Sequence, residues 1–167
     1  EDFIRSNLKP NVKPKFFYRD DSPTVVKRRY INQYLNQKLF EINYLNENYI
    51  NGECETEVIE YLTSELPKYD LVLVSDFGHG FITDNIIKVI ENKSRIFAVN
   101  TQTNAANTGY NMITKYRGPN FVCLDETEAR LATQDKFSDI EAVARDVSKA
   151  VDRSEEHTSE LQSHHPI

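Results

Sequence analysis

Residues 70–80 read Asp-Leu-Val-Leu-Val-Ser-Asp-Phe-Gly-His-Gly, followed at 83–90 by Thr-Asp-Asn-Ile-Ile-Lys-Val-Ile and at 96–99 by Ile-Phe-Ala-Val. The stretch 71–74 is a short continuous apolar run, as expected of a central parallel strand buried on both faces, and 96–99 reads as another short strand. Between them Thr83 can cap a helix, and Asp84 suits the positive end of its dipole. Ile86, Ile87, Val89 and Ile90 supply its apolar residues. Strand, helix, strand in this order implies a right-handed crossover and a parallel sheet covered on both faces.

The pattern extends both ways. On the N-terminal side Val58, Ile59, Leu62 and Leu66 recur at helical spacing, and Pro67 ends that helix. On the C-terminal side 121–124 is a third strand, and Asp125 and Ser138 open two further helices. The last of these carries Ile140, Val143, Ala144, Val147 and Val151 on one face, with Ser138 and Glu141 spaced as a capping box. The expected fold over about 54–152 is therefore α/β. A small β ribbon or lid is expected over about 15–46, from the β-rich runs 24–32 and 38–45. In the second run Phe40, Ile42 and Tyr44 alternate with Glu41 and Asn43. The opening residues 1–23, punctuated by Pro10, Pro14 and Pro23, read as irregular.

The chain has 167 residues, 39% hydrophobic and 28% charged, enough for one domain of ordinary size. Its formal charge is −6, which argues against a nucleic-acid binder held by a basic face. No apolar run approaches a membrane span, and Cys54 and Cys123 fit no metal or redox spacing. A reduced, cytoplasmic setting is the expectation. Residues 153–163, Arg-Ser-Glu-Glu-His-Thr-Ser-Glu-Leu-Gln-Ser, coincide with the in-frame translation of a common sequencing-library adapter. The segment 153–167 is therefore expected to be a non-native tail, with 1–152 an incomplete domain that continued further in the natural protein. His157, His164 and His165 lie in that tail, which leaves His79 alone and no Ser-His-Asp or Cys-His arrangement to build.

Ligands of open parallel sheets collect beyond the carboxyl ends of the strands. Three loops qualify: 75–80, 100–110 and the turn at Asp125. Gly78 and Gly80 form no phosphate-binding Gly-rich motif and suit a turn needing positive φ. Asp76 ends a strand and can bind a ligand or cap the following turn. Asp125 and Glu128 have the spacing of a capping box. Lys27, Arg28 and Arg29 read more readily as a solvated strand face than as an anion site.

Taken together, three groups of residues resemble the middle of a PfkB/ribokinase-type carbohydrate kinase, nearest its heptose-phosphate kinase branch. They are the run 24–29 (Thr-Val-Val-Lys-Arg-Arg) with 37–41, the strand and loop 70–80, and Ile113-Thr-Lys-Tyr116 with Asp125-x-x-Glu128. The resemblance covers most of 15–150. It implies a three-layer ribokinase-like sheet with helices on both faces, ATP and Mg²⁺ as cofactors, and a sugar or sugar phosphate as substrate. It places Lys27 and Arg29 near the sugar or its phosphate, Asp76 and Asn100 in the cleft between sugar and nucleotide, and Asp125 and Glu128 near the Mg-nucleotide. A fused nucleotidyltransferase domain and a homodimer formed through the ribbon are further implications. The sequence departs from the family in having His79 for a lysine, Asn100-Thr-Gln102 for Asp-Pro-Lys and Asp125 for Asn. It also lacks the Gly-x-Gly-Asp turn that carries the catalytic base. The resemblance thus implies a kinase piece that is inactive alone; the alternative is a kinase-fold module that only binds, beside a nucleotidyltransferase.

Overall fold

The structure, a computed structural model, describes residues 1–104 and 107–151; the expected tail at 153–167 lies outside the described residues. A short helix α1 (Asp2–Asn7) opens the chain, inside a stretch expected to be irregular. The ribbon follows as β1 (Val26–Asn32) and β2 (Gln37–Tyr44), antiparallel, with Tyr30 opposite Phe40 and Arg28 opposite Ile42. The register slips after Tyr30, so Leu39 has no partner and forms a bulge. The turn between the strands places Asn36 at φ 50, a conformation asparagine tolerates.

The second part runs α2 (Gly52–Glu65), β3 (Val72–Asp76), α3 (Asp84–Lys93), β4 (Phe97–Thr101), β5 (Phe121–Cys123), α4 (Glu126–Thr133) and α5 (Ile140–Ala150). The three strands are parallel in the order β3-β4-β5. The helix starts follow local chemistry. Asn51 accepts from the Cys54 amide, Thr83 from that of Ile86, and Asp139 from that of Ala142. Asp139 thus caps α5, where Ser138 was expected: the chain enters the helix one residue later, and Ser138 N–H is tied to Asp135 Oδ1. Pro67 sits in a 3-10 turn (Leu66–Lys68) that closes α2, as its missing N–H requires.

One core holds the α/β part together. From the sheet it takes Val74, Phe97, Val99 and Val122, which the strand register puts on a single face. Against them pack Val58 of α2, Ile86, Ile87 and Ile90 of α3, and Val143 and Val147 of α5. The opposite face holds Leu71 and Leu73 at 51% and 75% exposure, with Phe121 also exposed. Two sequence expectations are corrected here. Among the described residues the helices share one face of the sheet, and β3 is an edge strand covered on one side. A continuous apolar run signals a strand built for burial on both faces; it does not supply the second layer.

Candidate functional site

Asp76 is the last residue of β3 and only 4% exposed. Its Oδ1 accepts from Gly78 N–H at 2.9 Å, the Asx-type turn that lets the chain reverse immediately after the strand. Its Oδ2 accepts from Tyr116 O–H at 2.8 Å and meets Lys115 Nζ at 2.6 Å. The same ammonium donates to Asn111 Oδ1 at 2.6 Å, and Asn111 Nδ2 donates to the carbonyls of Asp76 and Gln102 at 3.0 and 3.2 Å. Asn107 Nδ2 donates to the Phe77 carbonyl at 3.0 Å. Side-chain amides from the loop after β4 thus take over beyond the strand ends, where the ladder stops, and clamp the loop after β3.

Close approach explains the glycines. Gly78 (φ 67) has Asn107 Nδ2 where a Cβ would come within 2.2 Å, and Gly80 (φ 74) has the Asn48 carbonyl oxygen at 2.1 Å. No side chain fits at either place. Between these loops lies a cavity of about 230 Å³, lined by Glu47, Tyr49, Asp76, Gly78, Gly80, Asn107, Asn111 and Lys115 among others. Burial, and then the Asp76 charge, push the Tyr116 phenol far above its usual range, so it stays a donor. The charges facing the cavity are Glu47 and Asp76 against Lys115. That balance suits hydroxyl groups better than a second anion.

The remaining expected site residues are placed as follows. Asp125 and Glu128 form a complete capping box at α4: Glu128 N–H donates to Asp125 Oδ1 at 2.8 Å, and Asp125 N–H to Glu128 Oε2 at 3.1 Å. Glu128 Oε1 also accepts from Thr103 N–H at 2.7 Å, which pins the start of the loop that clamps Asp76. Burial raises the Glu128 carboxyl above its usual value, while those two N–H groups oppose the rise. Asn100 lies on β4 and donates to the Cys123 carbonyl at 2.8 Å, tying β4 to β5. Lys27 and Arg29 share the polar face of the ribbon, where Arg29 pairs with Glu41 at 2.6 Å. Neither ribbon cation lines the Asp76 cavity. Among the described residues no group of three or more His, Cys, Asp or Glu side chains could hold a metal ion. Asp125 itself is exposed and has a second carboxylate oxygen outside the capping box.

Sequence reasoning passed over Lys115, Tyr116, Asn107 and Asn111 as site residues. The signal was the Asn-rich composition of the loop after the second apolar run, together with a lone lysine beside an aromatic residue. Neither pattern shows that the loop folds back onto the preceding strand. A larger cavity, of about 630 Å³, lies between Met112 and the outer side of α4 and contains no member of the Asp76 network.

Three parallel strands with a cavity beyond their carboxyl ends define an open α/β sheet, a class of fold in which ligands collect at that edge. Its sequence is similar to that of bifunctional proteins HldE. The protein of that name from Wolinella succinogenes is 28% identical over 117 residues, 70% of this chain and 24% of the relative. The one from Nitrobacter hamburgensis is 25% identical over 146 residues, covering 84% and 29%, and that from Geotalea uraniireducens 23% over 110 residues, covering 66% and 22%. The chain thus spans roughly a quarter of the length of these relatives. No protein-family model matches it. No helix among the described residues is long and apolar enough to cross a membrane.

Proposed function

We propose that this chain is part of an ATP-dependent sugar or sugar-phosphate kinase of the PfkB type, acting on a heptose phosphate or a similar compound. The observation that carries the reading is the Asp76 cavity at the carboxyl edge of the parallel strands, in a chain similar to HldE proteins. On this reading the neutral sugar ring occupies the cavity, with Asp76 and the amide-clamped loop orienting its hydroxyls. The cavity's own charges disfavour a phosphate there, so the phosphate of the sugar falls to Lys27 and Arg29 when the ribbon lies over the ring. Asn100 holds the strand ends that separate sugar from nucleotide. Glu128 keeps the α4 turn in place, and Asp125, whose second carboxylate oxygen lies outside the capping box, would hold Mg²⁺, which usually takes one or two carboxylates and completes its shell with phosphate and water. Mg²⁺ would neutralise the charge that develops on the transferred phosphoryl group.

The catalytic base is not among these residues, so the 167-residue chain alone is expected to show no turnover. A longer natural protein containing it should convert a heptose phosphate and Mg-ATP to ADP and a bisphosphorylated sugar, followed by ³¹P NMR. Turnover by the 167-residue chain itself would contradict this assignment of parts. The second reading, a binding module beside a nucleotidyltransferase, is favoured by one observation: each oxygen of Asp76 and Glu128 already accepts a protein donor. Sugar-phosphate binding without turnover in the longer protein would select it.

The ribbon completes the proposal. Its Val26, Tyr30, Phe40, Ile42 and Tyr44 are all exposed on one face, with Tyr30 and Phe40 stacked at 4.4 Å. A two-stranded ribbon is marginal alone. A second copy of the same ribbon is the proposed cover, and Phe40→Asp should turn a dimer into a monomer by light scattering on the longer protein. A wild-type monomer would sink the dimer.

A further inference from the structure

The side chains around the Asp76 cavity differ in what they have left to offer a ligand. A carboxylate only accepts hydrogen bonds and an ammonium only donates them, each a limited number of times. Asp76 is engaged on both oxygens, by Gly78 N–H on one and by Tyr116 O–H and Lys115 on the other. Asn111 spends its oxygen on Lys115 and its amide on two carbonyls, while Asn107 Nδ2 is held by the Phe77 carbonyl. Lys115 has given two of its three N–H groups, to Asp76 and Asn111, and keeps one.

Glu47 is the exception. It lines the same cavity, and among the described residues its carboxylate accepts no hydrogen bond. Its charged neighbour, His79 Nδ1, stands 3.7 Å from Oε1, beyond bonding distance. The backbone that carries Glu47 is nevertheless fixed. The chain leaves the ribbon through residues 46–50, and this return leg lies against the loop at Gly78–Gly80. Asn48 N–H donates to Asn46 Oδ1 at 3.0 Å, Asn46 Nδ2 to Asp21 Oδ2 at 3.1 Å, and Ile50 N–H to the Gly80 carbonyl at 3.0 Å. The Asn48 carbonyl fills the space that a Cβ on Gly80 would need. A fixed backbone carrying unspent acceptors needs little reordering when donors arrive with a ligand.

The spare N–H of Lys115 belongs to the same cavity, so a ligand group there has to donate to Glu47 and accept from Lys115. A hydroxyl does both, whereas an ammonium only donates and a carboxylate only accepts. We propose that Glu47 is the residue that selects among sugars in this cavity, its two oxygens accepting from a pair of neighbouring hydroxyls. Lys115 donates to one hydroxyl of that pair, and Asp76 acts by holding Lys115 in place. This role presupposes that the cavity holds a sugar ring, as proposed above, and it adds the hydroxyl pattern: an intact adjacent pair with no charged group in its place.

Isothermal titration calorimetry on the longer protein tests this, with a heptose phosphate and its monodeoxy analogues, in the native sequence and in Glu47→Gln. The Glu47 side chain bonds to no described residue, so Glu47→Gln should leave the midpoint of urea unfolding unchanged. It should weaken binding of the heptose phosphate at least about tenfold, through the loss of charge-assisted bonds. In the native protein, removing either hydroxyl of one adjacent pair should cost about tenfold, and in Glu47→Gln the same removals should cost less than about twofold. Equal binding by the native protein and Glu47→Gln would overturn the role of Glu47 and leave the kinase reading standing, as would deoxygenation losses that persist undiminished in Glu47→Gln. A shifted urea midpoint would make Glu47 a structural residue and overturn the role as well. A native protein that binds no heptose phosphate would overturn both the role and the kinase reading.

Discussion

At the scale of single residues, the feature that sets this chain apart is the way Asp76 is neutralised. A carboxylate at 4% exposure is tolerable only with strong partners, and here it has an ammonium, a phenol and a backbone N–H. Lys115→Met leaves that charge buried and unpaired. The loss should be about 3 kcal/mol, at the low end for breaking buried pairs because Lys115 itself is 27% exposed. The midpoint of urea unfolding at pH 7 reads this directly, and an unchanged midpoint would show that the pair does not hold the loop. Tyr116 gives the matching prediction in pH. Burial raises its folded value above the ordinary one near 10, so it favours the fold fully below that value and progressively less above it. Absorbance near 295 nm should therefore show one tyrosine that ionises only on unfolding, and Tyr116→Phe should remove it at a cost of about 1 kcal/mol.

At the scale of elements, the sequence made the strands and helices of the α/β part readable and left the connections obscure. The caps at Thr83 and the Asp125–Glu128 box were legible, because a side chain and an amide three residues apart are a local matter. The edge position of β3 was not. Its apolar run is the same whether or not a neighbour covers it. The Lys115–Asp76 contact joins residues 39 apart in sequence, across a loop whose path no periodicity records. Asn100 and the ribbon cations show the converse. A resemblance named them, and the structure gives Asn100 a strand-joining bond and Arg29 a cross-strand pair. Gly80 tests the loop packing. Gly80→Ala meets a backbone oxygen at φ 74 and should cost more than 2 kcal/mol, roughly the left-handed strain alone plus the clash. Gly109→Ala, at φ 82 in open space, should cost about 1 kcal/mol. Equal losses in thermal unfolding would mean that the Asn48 leg does not press on this loop.

At the scale of the whole molecule, the described residues form half of a sandwich. Helices cover one face of the sheet, while Leu71, Leu73 and Phe121 lie open on the other, and each edge strand has one side without a neighbouring strand. Such a surface associates with whatever apolar partner it meets. The 167-residue chain should show concentration-dependent light scattering, and Leu73→Lys should relieve it. A native chain that stays monomeric at high concentration would mean that the face is covered in solution. The central claim, that the Asp76 cavity takes the sugar of a phosphoryl-transfer reaction, is tested most directly by steady-state kinetics on the longer protein. Asp76→Asn keeps the acceptor for Gly78 and removes the charge that positions Lys115. The account predicts a KM for the sugar phosphate raised at least tenfold, with the KM for ATP unchanged and the circular dichroism spectrum native. An unchanged sugar KM, or a loss confined to ATP, would contradict it.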